Sequence, residues 1–322
     1  MNKQSILELR NLSVGFLSAN KIIQVTDSVS FEINAGEIFA LVGESGCGKS
    51  VSAQAILGLL PRPSASVLNG EILYKGKDLL RESPEFLRNL RGQKITMIFQ
   101  EPGAALNPVL KISRQMLECF QYHQKEDPDL KRCREVLQMT GLADPERVLN
   151  AFPHQLSGGM LQRVMIAMAF LMKPDLIIAD EPTTALDVTV QAQVMEILCK
   201  MCAETGCAVL LITHNLNLVA HYADRVAVMY AGRIAEIGST RQVIEHSWHP
   251  YTLGLLRSLP TTGSKCLEAI PGQVPSPQDF KPGCRFADRC PRVLSLCEKQ
   301  PELTEHSRGH AVACFNPEPG ND

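Results

Sequence analysis

The chain has 322 residues, 45% of them hydrophobic, and a formal net charge of −2. That length allows one large domain or two modest ones with a sizeable core. The balanced charge and sparse aromatics exclude a basic field or a stacking platform for nucleic acid.

The opening reads as β-rich. Leu7, Leu9, Leu12 and Val14 follow a strand pattern, and Val29, Phe31 and Ile33 alternate with polar neighbours. Asn34-Ala35-Gly36 marks a turn, and Ile38 to Val42 is a short apolar run of the buried-strand kind. A Gly-rich loop follows, then a helical pattern from Ser50 to Leu60 that Pro61 and Pro63 stop. From Pro108 to Met172 the apolar residues fall at helical spacings. After Lys173-Pro174 strands and helices alternate: Leu176 to Ala179, Val188 to Thr205, Ala208 to Thr213, Leu216 to Tyr222 and Val226 to Tyr230. Such alternation predicts an α/β fold with a mostly parallel sheet and helices on both faces. Beyond His249-Pro250 periodicity fades, and the tail from Pro271 reads as a small loop-rich appendage. No apolar run approaches the length that crosses a bilayer, and the first residues lack an apolar signal core. Both predict a cytoplasmic chain that meets a membrane only through partners.

Gly43-Glu44-Ser45-Gly46-Cys47-Gly48-Lys49-Ser50 matches the phosphate-loop pattern G-x-x-x-x-G-K-[ST], between an apolar strand and a helical stretch that continues through Val51. Glycines there let backbone N–H groups point at phosphate oxygens, and the helix N-terminus adds positive potential. Lys49 is placed to reach the β- and γ-phosphates and the Ser50 hydroxyl to ligate Mg²⁺. The strand Leu176 to Ala179 ends in Asp180 and Glu181. Asp180 suits the Mg²⁺ shell and Glu181 the polarisation of an attacking water.

Further stretches resemble the motifs of ABC ATPases, in that family's order. Leu156-Ser157-Gly158-Gly159-Met160-Leu161-Gln162-Arg163 is similar to the signature loop, and Gln100 to the Q-loop glutamine. Ala185-Leu186-Asp187 resembles the D-loop, His214 the switch histidine, and Phe16 the aromatic that stacks on adenine. Met160 departs from the commoner glutamine, as it often does in the peptide- and nickel-importing branch. The resemblance implies a nucleotide-binding domain with a RecA-like core, an antiparallel β subdomain and an inserted helical subdomain. It places the ATP-binding domain at 1–250, the helical subdomain at about 105–170, and a C-terminal region at 251–322. It implies ATP hydrolysis in a homo- or heterodimer of ATPases, with Ser157, Gly158 and Gly159 facing the γ-phosphate bound by the other subunit. Gln100 is expected to coordinate Mg²⁺ or the water, and His214 to orient Glu181.

His249-Pro250-Tyr251-Thr252 and Ile270-Pro271-Gly272-Gln273-Val274-Pro275 resemble the dipeptide, oligopeptide and nickel importers. That branch implies two membrane permease subunits, an extracytoplasmic solute-binding protein and a peripheral place on the cytoplasmic face of the inner membrane. Peptide is the expected solute, with nickel or a metal chelate as the alternative. Soluble ABC ATPases of ribosomes or DNA usually carry two cassettes or long coiled coils, and neither is found here. Intact Glu181 and His214 argue against a non-hydrolysing module.

Cys284, Cys290, Cys297 and Cys314 form a four-cysteine tail suited to a soft metal. The gaps between the first three exceed those usual for zinc. In related importers the equivalent cysteines hold a [4Fe–4S] cluster, which is favoured over Zn²⁺. Cys47, Cys119, Cys133, Cys199, Cys202 and Cys207 read as scattered thiols.

Overall fold

The computed structural model describes residues 4–19, 21–123, 129–184, 187–259 and 269–318. Its contacts divide the chain into two units, each assembled from separated stretches of sequence.

The first unit comprises Met1–Ile6, Ile33–Ile38 and Arg81–Leu211. The second comprises Leu7–Glu32, Phe39–Leu80 and Ile212–Asp322. In the second, strands β1 (Ser5–Ser18), β2 (Lys21–Asn34), β4 (Ala65–Tyr74) and β5 (Lys77–Asp78) form a sheet in the order β2-β1-β4-β5. β1 and β4 run antiparallel, with Leu7 opposite Tyr74 and Phe16 opposite Ala65.

Strand β3 (Ile38–Val42) leads through the phosphate loop into helix α1 (Lys49–Ile56). The helix ends four residues before Leu60, earlier than the apolar pattern suggests. Gly58, at φ +61°, donates its N–H to Ala55 O, and Leu59 donates to Gln54 O. These paired bonds are the glycine stop of a helix, so Gly58 ends it before the prolines do.

The first unit is mainly helical. After α2 (Pro84–Leu90) and strand β6 (Ile95–Ile98) come α3 (Pro102–Ala105), α4 (Ile112–His123), α5 (Leu130–Met139), α6 (Pro145–Asn150) and α7 (Gly158–Leu171). Ile112, Met116 and Phe120 stand four apart on one face of α4. They pack into a core with Val136 and Leu137 of α5, Leu149 of α6 and Val164 of α7. Asp129 caps α5 by accepting from Arg132 N at 3.0 Å, and Asp144 caps α6 from Arg147 N at 3.0 Å. Strand β7 (Leu176–Asp180) pairs in parallel with β6, Ile95 opposite Leu176, and its five residues are all buried. A parallel strand covered on both faces needs such a continuous apolar run. Helix α8 (Val188–Thr205) follows and ends at Gly206 in the left-handed conformation. Strand β8 (Ala208–Thr213) then carries the chain into the second unit.

There, helix α9 (Leu216–Tyr222) precedes strand β9 (Arg225–Tyr230), parallel to β3, and β10 (Arg233–Ser239), antiparallel to β9. Helices α10 (Thr240–Glu245) and α11 (Pro250–Arg257) come next. The tail holds more regular structure than its composition suggests. Strands β11 (Thr304–Ser307) and β12 (His310–Val312) form a hairpin, and β12 pairs with β10. β11 is an exposed edge with no apolar alternation, which is why its sequence reads as loop.

Glu236 of β10 anchors the tail. It is fully buried, and its carboxylate accepts from Trp248 N at 2.7 Å and His249 N at 3.1 Å. His310 Nε2 of β12 lies 2.7 Å from the same carboxylate. His249 is buried too, and its Nδ1 accepts from Tyr251 N at 3.0 Å as the cap of α11. Burial lowers its pKa to about 4, against the raising influence of Glu236 and the Ala313 carbonyl. The unfolded chain therefore binds this proton first as pH falls below the ordinary histidine value. Stability from this residue is full above that value and declines towards pH 4, by about 2 kcal/mol between pH 7 and 5. His249→Asn, which keeps a capping oxygen, should flatten that part of the decline when denaturation midpoints are compared at the two pH values.

Candidate functional site: a phosphate loop and an acidic strand end

The phosphate loop lies in the second unit, where β3 gives way to α1. β3 pairs with β9 in the register Val42 opposite Val228, which brings the first loop residue over the Met229 carbonyl. Gly43 has φ +153°, and a Cβ there would stand 2.1 Å from Met229 O. Gly48, the cap of α1, has φ +105°, and a Cβ would meet Thr26 Cγ2 at 2.8 Å. Both positions therefore require glycine. Gly232 N donates to Cys47 O at 2.9 Å and fixes the loop's middle.

Lys49 is buried, and its Nζ donates to Gly43 O at 2.8 Å and Glu44 O at 3.0 Å. The loop thus holds its own cation within its curve. Burial raises the pKa of the Cys47 thiol, against the pull of Lys49, so Cys47 serves as neutral packing. Ser45, Gly46 and Ser50 are exposed, and Val51 half-buried. Glu44 is half-buried: its N–H donates to Tyr251 OH at 3.0 Å, and its carboxylate pairs with Arg289.

His214 is exposed directly after β8. Asn215 beside it donates to Thr213 Oγ1 at 3.0 Å and caps α9, so the turn that presents His214 is hydrogen-bonded on both sides. Phe16 lies half-buried near the end of β1.

The other residues predicted for the ATP site lie in the first unit. Asp180 is the buried last residue of β7. Glu181 follows at φ +47°, a conformation uncommon and costly for a residue with a side chain. Its Oε2 accepts from Gln100 Nε2 at 3.2 Å and from Thr184 Oγ1 at 2.8 Å. Gln100 and Glu181 are thus brought together across 81 residues. Thr184 is a functional candidate that sequence reasoning missed, although its place three residues after Glu181 in a Pro-initiated turn was a usable signal.

Ser157 caps α7, its Oγ accepting from Met160 N at 3.4 Å, and Gly158 and Gly159 form the first turn. A Cβ on Gly159 would stand 3.0 Å from Val190 Cγ1 of α8. A 14-residue helix with an open glycine turn is suited to an anion. Asp187 caps α8 by accepting from Val190 N at 3.0 Å, whereas Ala185 and Leu186 of the predicted motif lie outside the described residues.

The four tail cysteines belong to the second unit. Cys290 Sγ accepts from Arg292 N at 3.4 Å, Cys297 Sγ from Leu294 N at 3.5 Å, and Cys314 Sγ from Asn316 N at 3.4 Å. Burial raises the thiol pKa of Cys284, Cys290 and Cys314, that of Cys314 to about 11. Cys284, Cys290 and Cys297 each add to the Cys314 shift, so the four thiols share one neighbourhood. Among the described residues no group of three or more His, Cys, Asp or Glu side chains is close enough to hold a metal ion. The donor chemistry fits a soft metal, but the thiols do not converge as one ion would require.

These loops and strand ends define an ABC-type ATPase, and the chain belongs to the ABC transporter ATP-binding family. That family matches at residues 26–184, and a second, the oligopeptide/dipeptide transporter C-terminal region, at 235–297. The dipeptide transport ATP-binding protein DppD of Bacillus subtilis is 47% identical, covering 97% of this chain and 95% of that protein. The oligopeptide transport ATP-binding protein AppD of the same organism is 44% identical, covering 97% and 96%. Among solved structures, the dimeric ATP-binding cassette MJ0796 bound to ADP and Pi has a TM-score of 0.65 at 29% identity. It covers 73% of this chain and 99% of that one.

Gly43→Ala should weaken ATP binding at least about tenfold, because the loop must leave the Met229 carbonyl to admit a Cβ. Equilibrium titration with a fluorescent ATP analogue, beside a thermal melt to confirm folding, reads the effect.

Proposed function

We propose that this chain is the ATP-hydrolysing subunit of an importer for dipeptides or oligopeptides. The observation that carries this reading is near-full-length similarity to peptide-transport ATP-binding proteins, through the oligopeptide/dipeptide C-terminal region. The relatives' names favour peptide over nickel as the solute.

In this reading residues 1–250 form the ATP-binding domain and 251–322 the appendage. Phe16 stacks on adenine, and the loop from Gly43 to Val51 cradles the phosphates with Lys49 on the β- and γ-groups. Ser50, Gln100 and Asp180 supply hard oxygen donors of the kind Mg²⁺ takes, and the ion neutralises phosphate charge when bound. Glu181, aimed by Gln100 and Thr184, polarises the attacking water, and His214 orients it. Ser157, Gly158 and Gly159 meet the γ-phosphate of a second ATPase subunit. No helix among the described residues is long and apolar enough to cross a membrane. Two permease subunits supply the path, a solute-binding protein delivers the peptide, and this subunit sits peripherally on the inner face.

The four cysteines are the proposed ligands of a [4Fe–4S] cluster, which supplies a covalent staple or a one-electron centre when bound. The support is the shared neighbourhood of the thiols and the N–H groups aimed at sulfur. Iron and acid-labile sulfide measured after anaerobic purification should fall in Cys284→Ser. Metal content equal to that of the unchanged protein would remove the four-thiolate assignment.

Glu181→Gln should keep ATP affinity, lower turnover by about 10²–10⁴-fold, and trap a dimer visible by size exclusion in ATP. Reconstituted with its permeases, the unchanged chain should hydrolyse ATP faster when peptide-loaded binding protein is added. A complex that responds to nickel-loaded protein instead would overturn the choice of solute.

A further inference from the structure

The C-terminal region grips the phosphate loop through an ion pair that joins residues 245 positions apart. Glu44 is the second residue of the loop. Its carboxylate meets the Arg289 guanidinium as a fork, Nη1 to Oε2 at 2.8 Å and Nη2 to Oε1 at 3.1 Å. Arg289 is buried on the short turn Ala287–Arg289, and its Nε donates to Pro271 O at 2.8 Å. The guanidinium also lies over the Tyr230 ring, 5.7 Å from its centroid. On the backbone side, the Glu44 N–H is held by Tyr251 OH. Tyr251 in turn packs on Tyr230, with centroids 4.6 Å apart, and on Phe286 at 5.4 Å. Every group in this clamp belongs to the second unit.

A carboxylate at the second position of a phosphate loop is an electrostatic problem. Left uncovered, its negative charge would stand close to the phosphates the loop has to attract. A lysine could offset the charge as a point, but a buried guanidinium fork also fixes the direction of the carboxylate.

We infer that Arg289 is a positioning residue for ATP: it cancels the charge of Glu44 and fixes the first turn of the phosphate loop. ATP affinity therefore depends on the C-terminal region. The inference rests on the reading of residues 43–50 as the ATP site. Arg289 touches no reacting atom, so its loss acts on nucleotide affinity and KM rather than on kcat.

The test is a double-substitution cycle in the full chain, read as ATP affinity by displacement of a fluorescent ATP analogue, with a thermal melt on each variant. Arg289→Met should weaken ATP about tenfold and raise KM with kcat little changed. The loss should be larger at low ionic strength, where the orphan carboxylate is less screened. Adding Glu44→Gln to Arg289→Met removes that charge and should restore affinity to within about threefold of the unchanged chain. A purely structural arginine would show no such rescue. Arg289→Lys keeps the charge without the fork, should fall between, and serves if Arg289→Met does not fold. Unchanged ATP affinity in a folded Arg289→Met, or a loss that Glu44→Gln leaves unrescued, overturns the proposal. Lys49→Ala separates the two readings. Full ATP affinity in that variant refutes the ATP site itself, whereas its loss beside an unaffected Arg289→Met refutes only the clamp.

Discussion

The carbonyl of Met229 sets the path of the phosphate loop. Parallel pairing of β3 with β9 puts Val42 opposite Val228, so the chain leaving β3 must pass directly over the next carbonyl of β9. Only a residue without a Cβ fits, and Gly43 supplies it. The loop then hydrogen-bonds to Gly232, in the turn that joins β9 to β10, through Cys47 O. Backbone contacts thus constrain both the entry and the middle of the loop. This makes strand pairing the first requirement for any phosphate chemistry here.

The C-terminal region adds a second layer to the same wall. Arg285, Phe286 and Arg289 fall within five consecutive residues. Arg285 pairs with Asp27 at 2.9 Å and reaches Ala231 O, while Phe286 packs edge-on against Tyr230. Arg289 takes Glu44. Asp27 also receives Arg233, so its charge is shared between two guanidiniums. Cys284 and Cys290 bracket this turn. The two cysteines and the residues that brace the loop therefore share one short stretch of chain.

The parts of this architecture that depend on neighbouring residues were legible in the sequence. The run Ile38 to Val42, the helix Val188 to Thr205 and the strand Ala208 to Thr213 stand at the bounds their patterns give. Apolar runs and capping residues act over a few positions, and a pattern can register them. The helix after the phosphate loop stops early because Gly58 acts before Pro61, a competition between two stop signals that a pattern does not rank. The Arg289–Glu44 fork left no local trace, because its partners are joined only by the fold. The cysteines show a related limit. Sequence reveals four thiols and their spacing along the chain, but their separation in space is set by the turns between them.

Two glutamates illustrate how environment assigns role. Glu44 meets a buried guanidinium, which aims its carboxylate and cancels its charge. Glu181 accepts from the amide of Gln100 and the hydroxyl of Thr184, which together aim its carboxylate. Its positive φ adds a conformational cost that the surrounding turn sustains, as residues at functional sites often do. A base must keep its negative charge available to a water proton, whereas an acid beside phosphates must surrender it. The donors named here differ in kind independently of sequence motif: a guanidinium fork for Glu44, an amide and a hydroxyl for Glu181.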